Sequence, residues 1–584
     1  MWGAMDQASQ VREKIDIVSL ISEYLKLKKM GRNFTTICPF HSENTPSFVV
    51  SPERQIWHCF GCGKGGDAFS FLMEYESLEF IEALRILAKK AGVTLKLADT
   101  SATSSKKEKI YSLNKIASSF YNYILLNHPM GKAALEYLMK KRGLSQNLIK
   151  TFNIGFAPPG RNSLSNYLIN KKKNNPWDLI EAGLVFKKDE NIFDFFRERI
   201  IFPLVDHRGN IVGFSGRHIT ENGFGPKYIN TKDTLVYHKG SMFFGLNAAK
   251  EEIKKQGIAI VMEGEFDVIS AFSQGIKNTV ALKGTALTEQ QALLLSRFAT
   301  KVSLCLDKDE AGLIALKRSI PVLEKRGLSI TVVAFDGKDP DDAIKKSPAS
   351  FKKSLKNDVD VYDFLIGKLS KENDASSVSG KKKISDEILP LISAVQNEVV
   401  KEHYLKKLSQ VIDTSYESLM TQLYKKEEDR TEKVFSKIQI KDRREILEEY
   451  LMSLILQNNS ENNLFINSKD ILTPYEFKIL SLGKIFIELS SFFKKSKGLN
   501  INTFSKNLPK ELIPAYDKCF LIPLPKFESS EKLEAEVLKV SKELKIFYLK
   551  ERIGRIGISL KGEKTSLSDI EKIRDEIAKI TSQL

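Results

Sequence analysis

The stretch "IAIVMEGEFDVISAF", Ile258–Phe272, is an apolar strand that runs into Glu263-Gly264 and then places Asp267 on the first turn of a helix. The pattern repeats twice downstream. "KVSLCLDKDEAGLIAL" (Lys301–Leu316) is a second buried strand ending in Asp307 and Asp309 before a helix, and "ITVVAFDGKDPDDAI" (Ile330–Ile344) is a third, with Asp339 and Asp341 past its end. Continuous β-branched runs alternating with helices predict a parallel α/β sheet, whose sites gather at the carboxyl ends of the strands. Six carboxylates on one edge would repel one another unless divalent cations bridged them. An oxygen-only ligand set favours magnesium or manganese over zinc. A lone Asp in a loop is usually a solvated surface group; acids at three successive strand ends are not read that way.

A second chemistry lies near the start. "ICPFHSENTPSF" (Ile37–Phe48) sets Cys38 and His41 three apart, and "WHCFGCGKGGD" (Trp57–Asp67) sets Cys59 and Cys62 three apart. Three thiolates and one imidazole, in two short-spaced pairs, form a tetrahedral structural zinc set without an open position for catalysis. His58 is adjacent to Cys59, but His41 has the pairing geometry. The intervening "SENTPSFVVSPERQIWH" predicts strand, turn, strand. The chain has five cysteines in 584 residues, and Cys305 and Cys519 are isolated. With no apolar run of about 18 residues and no signal-peptide pattern, a reducing cytoplasmic setting without membrane insertion is expected, where paired cysteines are metal ligands.

Lys and Arg outnumber Asp and Glu by 90 to 73, a net charge of +17, which fits a polyanionic partner. The length suits several domains. The expected division is 1–98 for the zinc-binding region, 99–108 for a polar linker, 109–425 for a core, 426–440 for a charged linker and 441–584 for a block of amphipathic helices. Within the core, 109–256 is a basic subdomain with the hairpin "ERIIFPLVDHRGNIVGFSGRHI", 257–345 the α/β region and 346–425 a helical subdomain.

Glu263-Gly264-x-x-Asp267 with Asp307-x-Asp309 resembles a TOPRIM domain, which primases, some topoisomerases and some nucleases share. "GRNFTTICPFHSENTPSFVVSP" with "WHCFGCGKGGDAFSFL" resembles the zinc-binding domain of bacterial DNA primases of the DnaG family. So do "KRGLSQNLIKTFNIGFAP", "PKYINT", "HKGSMFFGLNAAK" and "GTALT", in order over about residues 6 to 425. The resemblance implies a multidomain fold: a small β-rich zinc ribbon, an α/β TOPRIM-containing catalytic core and an all-α C-terminal domain. It implies a DNA-dependent RNA polymerase that makes short RNA primers on single-stranded DNA from ribonucleoside triphosphates. Two or more magnesium or manganese ions would lie on Asp307, Asp309, Asp339 and Asp341, with Glu263 and Asp267 joining or orienting them and Glu263 assisting deprotonation of the attacking hydroxyl.

The same resemblance nominates Arg142, Arg197, Arg199, Arg217, Lys227, Tyr228, Asn230 and Lys239 for nucleotide and template; the ribbon's Arg32, Arg54, Lys64, Phe48, Trp57 and Phe60 suit single-strand contact, with some of those aromatics forming the ribbon's small core. It implies a monomer that meets a hexameric replicative helicase through residues 441–584, where "RREILEEYLMSLIL" and Ile570, Ile573, Ile577 and Ile580 have helical spacing. Two departures stand out: Lys308 replaces the family's usual glycine between the paired aspartates, and Glu265 adds a charge beside Glu263. A TOPRIM topoisomerase would need a tyrosine nucleophile in a large added domain that is not seen. A non-catalytic scaffold would not need the full carboxylate set, and no G-x-x-x-x-G-K-[ST] loop supports a fused helicase.

Overall fold

In a computed structural model, residues 2–582 are described except 42, 44, 77, 96–101, 220–224, 285, 432–441, 459–462, 495–500, 526 and 560–564. The chain forms two compact units, one of residues Met1–Leu97 with Ser436–Leu584 and one of residues Ala98–Phe435.

In the first unit, five short strands (Lys28–Met30, Asn33–Thr36, Phe48–Ser51, Ile56–Cys59 and Gly65–Gly66) pair in sequence order as an antiparallel meander. Alternation puts Phe48 and Trp57 on the covered face, stacked with centroids 4.9 Å apart and almost fully buried. The helices Ala68–Glu76 and Phe80–Lys90 cover that face with Phe69, Phe71, Leu72, Leu84 and Leu87. Phe48 and Trp57 are therefore ribbon core, and the expected strand contact does not fall on them. The unit's helical part packs Leu451, Leu454, Ile485, Leu489, Tyr516, Phe520, Val537 and Leu544 into its own core. Its last helix, Thr565–Thr581, lies on the long helix Ser530–Ser559, with Lys545 3.6 Å from Glu576.

The second unit opens with the helix Ala102–Asn127. The polar "DTSATSSKKEK" was expected to be a linker to residue 108; part of it lies outside the described residues, and from Ala102 the chain is helical. Ile110, Leu113, Ala117 and Tyr121 bury this helix against the hairpin strands, and tertiary burial outweighs the Ser/Thr-rich start. The hairpin pairs Arg199–Val205 with Ile211–His218, flanked by Gly155–Ala157 and Tyr228–Asn230. At its turn the Asp206 carboxylate accepts from the amides of Arg208 and Asn210, and Gly209 takes φ +98°.

The α/β region has strand order Thr279–Ala281, Ile258–Met262, Lys301–Leu304, Ser329–Val332, Val359–Asp360. The first four strands run parallel and the last is antiparallel. The acid-bearing turns after the strands Ile258–Met262, Lys301–Leu304 and Ser329–Val332 thus open on one sheet edge. Cys305 is fully buried in this unit's core and Cys519 in that of the first.

Candidate functional site

The acids are held by backbone amides. Gly264 caps the helix Glu265–Ser273, and the Asp267 carboxylate accepts from the amides of Gly264 (2.9 Å) and Asp341 (3.0 Å), tying the first acidic turn to the third. Glu263 Oε1 accepts from the Asp307 amide at 3.1 Å, tying the first to the second. Asp309 caps the helix Glu310–Glu324 through Gly312 N–H (2.8 Å), and Asp339 caps Pro340–Lys346 through Asp342 N–H (2.8 Å). A side chain at Gly312 would meet the Asp307 carbonyl at 2.2 Å, so glycine lets the helix start against the acidic turn.

Burial, with neighbouring charge, raises the proton affinity of three of these acids. Burial, reinforced by Asp307 and Asp339, pushes Asp267 up to about 8; burial with Glu263, Asp339 and Asp309 pushes Asp307 up to about 6. Glu263 is also raised, by burial and by Asp309. Asp307 Oδ1 is buried and accepts no hydrogen bond, an orphaned anionic oxygen of the kind a cation satisfies. Asp341 differs from the rest: it pairs with Arg142 Nη1 at 2.9 Å and Lys345 Nζ at 2.7 Å and accepts from Ser270 Oγ. Glu265 is neutralised by Lys283 in a buried ion pair; burial alone would raise its carboxyl, but the lysine's charge and hydrogen bond hold it low. Lys308 Nζ lies 5.1 Å from the centroid of the Phe335 ring.

The basic residues divide. Arg142 and Arg217 approach the Phe266 ring at 4.3 and 4.9 Å, and both donate to the Tyr137 hydroxyl. Tyr228 lies 5.5 Å from Arg217. Arg217 is buried and its Nε has no partner. Arg199 is buried too and donates to the carbonyls of Gly216, Pro226 and Lys227. Its guanidinium thus supports the turn that carries Lys227. Arg197, Lys227 and Lys239 are exposed; Lys239 Cε comes within 4.0 Å of the Cβ position of Gly284. Asn230 Oδ1 is buried without a partner. Sequence reasoning missed Tyr137 and Lys283, which no spacing signal marks.

The second cluster is the zinc set. The ligand atoms of Cys38, His41, Cys59 and Cys62 all lie within 4.8 Å of one another. The amides of Phe40 and Cys62 donate to the sulfurs of Cys38 and Cys59, each at 3.4 Å. His41 turns Nδ1 toward Cys59 Sγ (3.6 Å) and Nε2 toward Glu43 Oε2 (3.1 Å). Glu43 also accepts from the amides of Cys38 (2.7 Å) and Ser47 (3.0 Å). A carboxylate behind a ligating imidazole fixes its tautomer and raises its basicity, and sequence reading overlooked Glu43. A Cβ on Gly61 would lie 2.3 Å from His41 Nε2, so only glycine leaves room for the ring. His58 packs edge-on against Phe60 instead, outside the set.

Four family models match in order: a CHC2 zinc finger over residues 4–103, the N-terminal domain of the DNA primase catalytic core over 120–250, a Toprim-like domain over 260–344 and the DnaB-helicase binding domain of primase over 362–415. The chain is 40% identical over 428 residues to the DNA primase of Listeria monocytogenes, covering 71% of this chain and 68% of that protein. The chain belongs to the bacterial DNA primase family. The DNA primase of Aquifex aeolicus is 42% identical over 371 residues, covering 62% of this chain and 71% of that protein. A solved structure of the Aquifex aeolicus primase, comprising its zinc-binding and RNA polymerase domains, superposes with TM-score 0.48 at 36% identity, covering 71% of this chain and 99% of that one. As a primase the chain is a DNA-directed RNA polymerase, a nucleotidyltransferase that synthesises RNA primers on single-stranded DNA. Cys38, His41, Cys59 and Cys62 are its zinc-binding site. The helicase-binding match falls on residues 362–415, upstream of the block 441–584 where the sequence reading placed that role.

Proposed function

We propose that primer synthesis proceeds at the acidic edge of the Toprim-like sheet, with Asp307, Asp309 and Asp339 as the principal ligands of magnesium or manganese. The observation that carries this is the buried, unpartnered Asp307 Oδ1, on a carboxyl whose proton affinity is raised together with those of Glu263 and Asp267. Divalent cations bound there would lower the pKa of the primer 3′-hydroxyl and stabilise charge on the α-phosphate and the departing diphosphate. Glu263, anchored to the Asp307 amide, is placed to accept the hydroxyl proton. Asp267 braces the first and third acidic turns against each other. Asp341, expected as a further ligand, is occupied by Arg142, Lys345 and Ser270, and its role on this reading is to aim Arg142.

Arg142 and Arg217, stacked on Phe266 beside the acids, would neutralise the triphosphate of the incoming ribonucleotide; Arg197, Lys227, Tyr228, Asn230 and Lys239 would meet nucleotide or template. Arg199 supports Lys227 from behind. A monomer acting in the cytoplasm fits this reading, and no helix among the described residues is long and apolar enough to cross a membrane. The test is incorporation of labelled ribonucleoside triphosphates on single-stranded DNA. Synthesis that survives Asp307→Asn at ordinary magnesium would refute the metal assignment. Helicase contact is proposed through the matched helices of residues 362–415, with the block 441–584 as the second location.

A further inference from the structure

The exposed face of the zinc ribbon is covered, within its own unit, by the helix Ile513–Leu521. Arg54 donates to Asp517 Oδ1 at 2.6 Å and to Ser505 Oγ at 2.7 Å, and its guanidinium lies 5.1 Å from the Tyr516 ring and 6.0 Å from that of Phe520. Arg32 lies 4.7 Å from the Phe520 ring and donates to the carbonyl oxygen and Oε1 of Gln457. Gln457 in turn donates to the carbonyls of Cys519 and Ile522 at the helix end. Between the two arginines, Val49, Ile56 and Leu521 form a small buried apolar cluster with Phe60 against it. The Arg54–Asp517 pair is largely withdrawn from water, with side-chain exposures of 11% and 20%.

The chemistry offered to the ribbon is that of a nucleic-acid strand. A carboxylate meets Arg54 where a phosphate would, and aromatic rings lie within 4.7 to 6.0 Å of the guanidinium carbons, where bases could stack. Arg32, Arg54 and Phe60 are also the ribbon residues whose types suit single-stranded DNA, whereas Phe48 and Trp57 are core. We infer that the helix Ile513–Leu521 is an internal mimic of single-stranded DNA that masks the Arg32–Arg54–Phe60 face of the ribbon, so that template and helix compete for one surface. Template capture by the ribbon then requires this contact to open, and anything that draws the C-terminal helices away raises template affinity. The inference rests on the ribbon meeting template through this face, and the experiment separates the two ideas.

In the full-length zinc-loaded chain, Asp517→Asn removes the charge on the helix side while leaving the ribbon's own residues untouched. Amide hydrogen exchange reads the contact directly: residues 48–60 should exchange faster than in the parent. Binding of a labelled oligo-deoxythymidine should tighten by about tenfold, the scale of one charge-assisted hydrogen bond, and Arg54→Ala added to Asp517→Asn should remove that gain. The exchanged pair Arg54→Asp with Asp517→Arg should restore protection of residues 48–60, a control for misfolding of either single variant. Unchanged exchange in Asp517→Asn and in Phe520→Ala would show that no such latch exists. Faster exchange with unchanged oligonucleotide affinity would show that the latch is real but the face beneath it does not bind template, which also overturns the mimicry.

Discussion

Asp309 has two functions, and substitution can separate them. Its carboxylate caps a helix through Gly312 N–H, and on the proposed reading it contributes negative charge to a metal-binding edge. Asp309→Asn keeps a good cap and removes the charge. It should cut primer synthesis by about a hundredfold or more, the scale of deleting one electrostatic element of a catalytic site, with the thermal midpoint unchanged or raised. Asp309→Ala should lose the activity and, in addition, about 1 kcal/mol of stability from the lost cap, seen in denaturant unfolding. Equal stability of the two variants would show that the cap is worth nothing. Asp267 gives a pH signature. Its folded-state value, about 8, stands above the ordinary aspartate value of 3.8, so between those pH values the folded chain holds a proton that the unfolded chain releases. Stability of this unit in chelator should therefore fall as pH rises from about 4 to 8, the reverse of the usual carboxylate case. Asp267→Asn should flatten that slope in thermal scans at pH 5.5 and 7.5, and magnesium should flatten it in the parent.

Among elements, the zinc knuckles show what a sequence reveals and what it hides. The spacing of Cys38, His41, Cys59 and Cys62 announces the site because each pair must share a tight turn. Glu43 escapes notice because its role is spatial: it accepts from Cys38 and Ser47 amides and backs His41. Glu43→Gln should lower zinc affinity about 10- to 100-fold in competition with a chelator, the usual scale for a carboxylate behind a ligating histidine. Cys59→Ser should go further and unfold residues 30–65, lost amide protection there being the readout; retention of zinc at parental affinity in both would contradict the assignment. The α/β region was legible for the same reason as the knuckles. Buried strands such as Ile258–Met262 must be apolar throughout, and polar acids can appear only where each strand leaves the core. Spacing could not show how the charges pair across the fold. Glu265 was read as an added repulsive charge and is neutralised by Lys283. Asp341, an expected metal ligand, pairs with Arg142, a contact that spacing does not show. Arg199, expected to meet nucleotide or template, donates to the carbonyls of Pro226 and Lys227.

For the whole molecule, order along the chain was legible and long-range assignment was not. The polar start of the helix Ala102–Asn127 looked like a linker because burial of Ile110, Leu113 and Ala117 depends on strands about a hundred residues away. The helicase role was assigned to residues 441–584 by position, whereas the matched helicase-binding domain covers 362–415. That segment leaves apolar side chains in water: Val399 is 76% and Val378 86% exposed. Single exposed valines are common on soluble proteins, so exposure alone proves nothing, but charge at a contact surface is a sharp probe because burying it unpaired is costly. Val399→Asp combined with Val378→Asp should weaken co-sedimentation with the cognate replicative helicase by about tenfold or more, a loss of about 1.4 kcal/mol. Synthesis on naked single-stranded DNA, measured in parallel, reports whether the core is still folded. If helicase binding and stimulation survive that double substitution and disappear instead on deletion of residues 441–584, the contact lies in the C-terminal block, and the exposed valines belong to an ordinary surface.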